Sequence, residues 1–315
     1  MEKIRSIFMG TPAVSVPLLD ALNEISDIGL VVTQPDREVG RKRKMQSPPV
    51  KLRGEKLGLP VVQPERMKAN PEFLARLKSL NPDVIVVVAF GRILPESILN
   101  LPTAGCVNVH YSLLPAYRGA APVNWALVNG EKETGVTLMQ MDKGLDTGPV
   151  IAVSPVEITL LDNAPRLFEK LTDVAVELLK TQLLPFVKGE RVPIPQDEEL
   201  ASYAPMIQKS DGALDFSMPA IDVHNRIRGF QPWPGGFATA NGRMFKFLET
   251  GLPEDSHDSL PTGTVTIRER GLFIVCGDNQ MLPILRIQPE NRKAMDIASC
   301  INGGYLKEGD RFESP

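Results

Sequence analysis

Hydrophobic positions follow two periods along this chain. Residues 4–9 and 28–33 are compact apolar runs that predict buried strands. Between them, the turn Gly10-Thr-Pro12 leads into helical apolar spacing over 14–25. Helical spacing returns at 50–57 and 72–80, with a short strand at 61–62. The run Asp83-Val-Ile-Val-Val-Val-Ala-Phe90 is continuously apolar and β-branched, as in a central parallel strand covered on both faces. A strand follows at 104–110 and a helix at 122–128. Residues 134–141 alternate at period two and pair as a hairpin with 150–158. A long helix spans 166–184, with Leu167, Leu171, Val174 and Leu178 on its apolar stripe. Strands alternating with helices predict an α/β protein with a doubly wound, mostly parallel sheet.

The pattern changes after Pro185. Pro193, Pro195 and Pro205 surround Gln196-Asp-Glu-Glu199, which reads as a semi-extended linker. A helix follows at 219–230. Short β-like runs then recur at 237–239, 244–248, 263–267, 271–276 and 282–287, separated by Gly and Pro. They predict a small, OB-like β-barrel. The expected boundaries are 1–187 for the first domain, 188–207 for the linker and 208–315 for the second.

Composition narrows the class. With 43% hydrophobic and 23% charged residues, the 315-residue chain has material for the cores of two soluble domains. No apolar run approaches the roughly 20 residues that cross a bilayer, and the N-terminal residues lead straight into a strand rather than a targeting segment. Cys106, Cys276 and Cys300 have no pairing or metal spacing. They read as reduced core residues of a cytoplasmic protein, and with three scattered histidines no metal site is expected.

The net charge of -3 hides an asymmetry. From Asp36 to Lys56 eight Lys/Arg face three acids, so this stretch is +5 and the rest is -8. Arg41, Lys42, Arg43 and Lys44 concentrate that charge in a long proline-flanked connection, which fits a specific polyanion. Residues 208–315 are net negative, with 12 basic and 14 acidic side chains. A nucleic-acid face there would have to come from clustering.

Candidate chemistry gathers at the end of the strand 104–110. Asn108 and His110 are two residues apart, so a strand projects both to one side. Strand ends border the ligand crevice in open α/β sheets. Asp146, in the glycine-rich turn Gly144-Leu-Asp-Thr-Gly148, is the expected third member. An amide can stabilise a tetrahedral oxyanion, an imidazole can move protons near neutral pH, and a carboxylate can orient it. Together they suit acyl transfer to a bound amine without a protein nucleophile. Each signal has a plainer reading. An Asn-x-His at a strand end can be structural, and an Asp in a glycine turn is commonly an Asx-turn residue. His224 and His257 are read as surface or core packing, and Trp233 as a packed turn.

Further motifs give the pattern an identity. Asn108-Val-His110, Ser112-Leu-Leu-Pro115, Tyr117-Arg-Gly-Ala-Ala-Pro122, Glu133-Thr-Gly-Val136 and Gly144-Leu-Asp-Thr-Gly148 closely resemble the folate-dependent formyltransferases. Gln34-Pro-Asp-Arg37, the basic loop, Gln231-Pro-Trp-Pro-Gly235 and Gln288-Pro-Glu-Asn-Arg-Lys-Ala-Met295 resemble the branch that formylates methionine on initiator tRNA. The resemblance implies 10-formyltetrahydrofolate as formyl donor, initiator methionyl-tRNA as partner, and a monomer. It implies Asn108, His110 and Asp146 as the catalytic trio, and Ser112, Leu113, Leu114 and Pro115 as a folate-binding segment. Phe90, Gly91, Ile93 and Leu94 match the strand end beside the pterin. Arg41 aligns with a basic residue of the loop that meets the acceptor stem. Relatives acting on a sugar-nucleotide amine, or hydrolysing formyl-folate, remain alternatives. A non-enzymatic RNA-binding protein would carry the charge but have no use for the trio. Two departures stand out: Tyr111 replaces a small residue or proline, and Val275-Cys-Gly-Asp-Asn-Gln-Met281 replaces a Thr-Gly-Asp-Gly pattern.

Overall fold

A computed structural model describes residues 3–39, 43–256, 260–269 and 271–313. His257 lies outside them, as do Arg41 and Lys42 of the basic loop. The chain divides into two compact units. The first takes the chain up to Gly119, Glu133–Glu157 and Phe168–Tyr203; the second takes Ala120–Lys132, Ile158–Leu167 and the chain from Ala204 onward. Contacts therefore partition the chain less simply than composition does. Residues 188–203, read as linker, belong with the first unit, and two short segments from the expected first domain belong with the second.

In the first unit, strands β1 (Ile4–Gly10) and β2 (Ser26–Val32) flank α1 (Val16–Ile25). Then come β3 (Arg37–Val39), β4 (Lys44–Gln46), α2 (Pro49–Lys56), β5 (Val61–Val62), α3 (Pro71–Ser79), β6 (Val84–Val88), α4 (Glu96–Leu99) and β7 (Cys106–His110). After the short β8 (Arg118–Gly119) the sheet is completed by β9 (Glu133–Gln140) and β10 (Val150–Glu157). Its order is β10-β9-β7-β6-β1-β2-β5. The strands from β7 to β5 are parallel, and β9 and β10 run antiparallel to their neighbours. The strand order reverses between β1 and β6, the switch at which such sheets open a crevice beyond their carboxyl ends.

All five residues of β6 are buried. Each contributes roughly 1.5–3 kcal/mol of hydrophobic stabilisation, which is why this strand sits centrally. Alternation assigns the faces. Ile7, Val32, Ile85 and Val87 share a buried cluster with Phe73 of α3 and Ile98 of α4, whereas α1 and α2 pack on β2 among the intervening residues. The long helix α6 (Ala164–Val187) begins where Asn163 Oδ1 accepts the Arg166 N–H at 3.0 Å, and it continues past Pro185.

The basic loop is not structureless. β3 and β4 form an antiparallel hairpin, Arg37 opposite Gln46 and Glu38 opposite Met45. Its root is fixed by Asp36, which accepts from Lys51 Nζ (2.9 and 3.0 Å), Gln63 Nε2 (2.7 Å) and Ser47 Oγ (2.9 Å). Hydrogen bonds from Lys51 and then Gln63 hold the Asp36 carboxyl down at about 2. Arg43 and Lys44 are exposed, and Arg43 pairs with Glu38 at 2.9 Å.

The second unit contains α5 (Pro122–Val128), β11 (Tyr203–Ala204) at its border, α7 (Ala220–Gly229), β12 (Gly236–Ala240), β13 (Arg243–Thr250), β14 (Glu254–Asp255), β15 (Val265–Arg268), β16 (Gly271–Val275), β17 (Gln280–Pro289), β18 (Met295–Asp296) and α8 (Ile297–Asn302). The antiparallel order is β12-β13-β17-β16-β15. Residues 310–313 join its two edges. Val265 N donates to Asp310 O (2.7 Å), Phe312 N to Gly263 O (2.9 Å) and Glu313 N to Thr239 O (2.8 Å). The sheet thus closes into the expected barrel. Phe312 fills it, with ring centroids 5.3–5.6 Å from Phe216, Phe245 and Phe247.

Helices α5 and α7 pack together within this unit. Asn124 Nδ2 donates to Gly229 O at 2.7 Å, and Trp125 meets Phe230 edge-on at 5.6 Å. The departing block at 275–281 forms the β16–β17 turn. Asn279 there takes φ 61°, a left-handed conformation that Asn tolerates in place of glycine. Gly277 is obligatory, because a Cβ would lie 1.7 Å from Ser217 O. Trp233 is exposed rather than packed.

His224 is a core residue, 4% exposed. Its Nε2–H donates to Leu160 O (3.0 Å), and Nδ1 lies 2.7 Å from Thr250 Oγ1. Burial lowers its pKa below the ordinary 6.5. The unfolded chain then takes up a proton near pH 6.5 that the folded chain refuses. This contribution is full above that pH and is lost as the pH falls below it. Thermal melts from pH 8 to 5 should show a decline in wild type that His224→Gln lessens. Identical slopes would contradict this assignment.

Candidate active site

β7 delivers Asn108 and His110 to the carboxyl end of the sheet, on one side of the strand. Parallel pairing with β6 places Asn108 beside Val87, and antiparallel pairing with β9 places it beside Met139. The turn between β9 and β10 brings Asp146 to both. Asn108 Nδ2 lies 3.4 Å from Asp146 Oδ1, and His110 Nδ1 lies 3.6 Å from Asp146 Oδ2. The three side chains named from sequence therefore converge.

The partners of each group fix its role. His110 is 6% exposed and its Nε2 is 3.0 Å from Tyr117 O. A carbonyl only accepts, so Nε2 carries a hydrogen and Nδ1 faces the carboxylate. Asp146 Oδ2 also accepts the Gly119 N–H at 2.9 Å. Asn108 Nδ2 has two hydrogens, and Asp146 accounts for one. Asp146 itself has φ 56°, a left-handed conformation costing on the order of 1 kcal/mol. Its turn is held by Asp142 Oδ1, which accepts from Gly144 N (2.9 Å) and Thr147 Oγ1 (2.7 Å). Gly148 has no alternative, since a Cβ would stand 1.9 Å from Gln140 O.

The residues expected to meet folate separate into two sets. Ser112 is fully buried and donates to Ala116 O at 2.6 Å, so its hydroxyl is committed to its own loop. Thr137 Oγ1 donates to Ser112 O (2.6 Å) and accepts from Leu114 N (3.1 Å), fixing the segment Ser112, Leu113, Leu114 and Pro115 against β9. Leu114–Pro115 is a cis peptide. Phe90 and Leu94 are buried in the sheet core, while Gly91 is exposed and Ile93 is 90% exposed. Phe90 contributes its carbonyl, which accepts from Gln34 Nε2 (2.8 Å) and Thr11 Oγ1 (3.2 Å). Tyr111 turns away into α6. Thr172 Oγ1 donates to Phe168 O (2.7 Å), so the Tyr111 hydroxyl donates to Thr172 Oγ1 (3.0 Å).

Sequence reading missed the groups that hold the trio from behind. Arg118 is completely buried and grips Glu198 through two 2.8 Å hydrogen bonds. Its own motif was a signal, because an arginine between Tyr117 and Gly119 must be paired if buried. The three cysteines are buried, with thiols pushed up to about 12 for Cys106 and Cys276 and about 11 for Cys300. They are not nucleophiles. Among the described residues no cluster of three or more His, Cys, Asp or Glu forms a metal site, and no helix is long and apolar enough to cross a membrane.

A strand-end amide, imidazole and carboxylate on a doubly wound sheet, with a separate barrel, define an acyl-transfer enzyme class. Residues 3–183 match the formyl transferase family and residues 206–304 its C-terminal domain, so the chain belongs to the formyl transferases. It is 46% identical to the methionyl-tRNA formyltransferase of Caldanaerobacter subterraneus subsp. tengcongensis, covering 97% of this chain and 99% of that protein. It is 42% identical to the enzyme of the same name from Sorangium cellulosum, covering 97% and 98%. Among solved structures, a sugar 3N-formyl transferase with dTDP and 5-N-formyl-THF shares the fold at TM-score 0.67 and 18% identity, covering 93% of this chain and 100% of that one.

Proposed function

We propose that this chain transfers the formyl group of 10-formyltetrahydrofolate to the α-amino group of methionine on initiator tRNA. The convergence of Asn108, His110 and Asp146 carries the reading of the chemistry. Similarity to methionyl-tRNA formyltransferases over nearly the whole chain supports the acceptor. In the transfer, the amine nitrogen bonds to the formyl carbon and the carbon–N10 bond of the folate breaks. The amine gives up one proton and N10 receives one. The second Asn108 N–H polarises the formyl oxygen as it gains charge. His110 Nδ1 is the ring atom left to carry the proton, and the Asp146 carboxylate stabilises the ring when it does. The exposed edge formed by Ile93 and Gly91, with the braced Ser112–Pro115 loop, supports a folate site at this strand end. The chain acts in this reading as a cytoplasmic monomer.

The acceptor is identified by offering formyl-folate together with charged tRNAs, free methionine, a sugar-nucleotide amine and water. Formyl appearing only on initiator methionyl-tRNA is the expected outcome. Formylated sugar amine, or release of formate, would transfer the assignment to one of the alternatives. The basic stretch with Arg41, Lys42, Arg43 and Lys44 is assigned in this reading to the tRNA phosphates. Replacing Arg41 and Lys42 with Ala should flatten the dependence of log affinity on log salt by about 1 per lost phosphate contact.

A further inference from the structure

The site is held from behind by residues that neither family region contains. Gln196 and Glu198 fall between residues 183 and 206, where the two matches end and begin. Gln196 Nε2 donates to Asp146 O (2.8 Å) and Gly148 O (2.7 Å), one hydrogen to each carbonyl. Gln196 Oε1 accepts from Arg118 Nε (3.1 Å) and Nη2 (2.8 Å). Every hydrogen-bonding group of the amide is thereby engaged, which leaves its orientation no freedom. The guanidinium also donates twice to Glu198 and bonds to the Tyr203 side chain.

The backbone on either side of Arg118 closes the arrangement. Tyr117 O holds His110 Nε2, and Gly119 N holds Asp146 Oδ2. A single tripeptide therefore touches His110, the Asp146 carboxylate and, through Gln196, the Asp146 backbone. Asp146 needs this support because its φ of 56° is not one the turn would favour unaided. We infer that Gln196, anchored by the buried Arg118 guanidinium, which the exposed Glu198 also grips, is a positioning residue that sets the Asp146 carboxylate against His110. The inference rests on the proposed role of Asp146 in the transfer. Gln196 touches no reacting atom in this arrangement; it acts through the turn.

The test compares Gln196→Met, Asp146→Asn and the double variant by single-turnover formyl transfer to initiator methionyl-tRNA, with enzyme in excess so that slow rates remain measurable. Gln196→Met keeps side-chain length and removes both donors. Its rate should fall about 10²-fold, the cost of a small misplacement of a reacting group, with KM for donor and acceptor within about twofold of wild type on the same argument. Its thermal midpoint should fall, because the buried Arg118 loses the Gln196 Oε1 acceptor and keeps only its other partners. Gln196→Glu, which retains the Arg118 contact but points an acceptor at two carbonyls, should lose rate similarly. In the Asp146→Asn background, Gln196→Met should have no further effect. A wild-type rate in Gln196→Met, or rate losses that multiply in the double variant, would overturn the positioning role while leaving the active site intact. A wild-type rate in Asp146→Asn would instead remove the catalytic reading on which it depends.

Discussion

His110→Ala should slow formyl transfer by about 10²–10⁴-fold, the usual worth of a positioned proton carrier. The loss should fall on kcat rather than on KM for either substrate. The ring is nearly buried, with one nitrogen committed to Tyr117 O and the other to the Asp146 side of the cleft. Little of it is available to contribute uniform binding. Asn108→Ala should cost about 10²–10³-fold for a different reason, the loss of a donor to the developing oxyanion. Steady-state kinetics of both variants with saturating formyl-folate measure the two losses. Turnover at the wild-type level in His110→Ala would leave the amine proton without a carrier and end this mechanism.

The largest effect on stability is expected at Phe312. Its ring meets Phe216, Phe245 and Phe247 at the point where residues 310–313 join the barrel edges. Phe312→Ala removes a side chain that is 3% exposed from a tightly packed aromatic cluster, a class of change that costs about 3–5 kcal/mol. Denaturant unfolding followed by a probe in the second unit should show its midpoint move down by a corresponding amount. The first unit has a separate core, so its transition should shift less. A destabilisation below about 1 kcal/mol would mean that the ring is readily replaced by its neighbours.

Much of this molecule could be read before its structure, for identifiable reasons. The run ending in Phe90 announces a central strand because five buried residues leave no polar alternative. Asn108 and His110 are legible because strand periodicity needs only local spacing. Asp146 is less so. A glycine turn suggests an aspartate, but its approach to β7 depends on the β9–β10 hairpin and on Gly119. The hairpin in the basic loop escaped because β3 and β4 are three residues each and largely exposed, which leaves no apolar alternation to detect. Arg118 and Gln196 meet across 78 positions, beyond the reach of any local pattern. Closure of the barrel by 310–313 and the membership of α5 in the second unit are likewise long-range facts.

The pairing of α5 with α7 bears on how such proteins can exchange parts. A chimera spliced near residue 205 would inherit Asn124 and Trp125 from one parent, and Gly229 and Phe230 from the other. Shape agreement at that seam, rather than compatibility of the crossover peptide itself, then decides whether the recombinant folds, and substitutions on the two helices should be accepted in matched pairs.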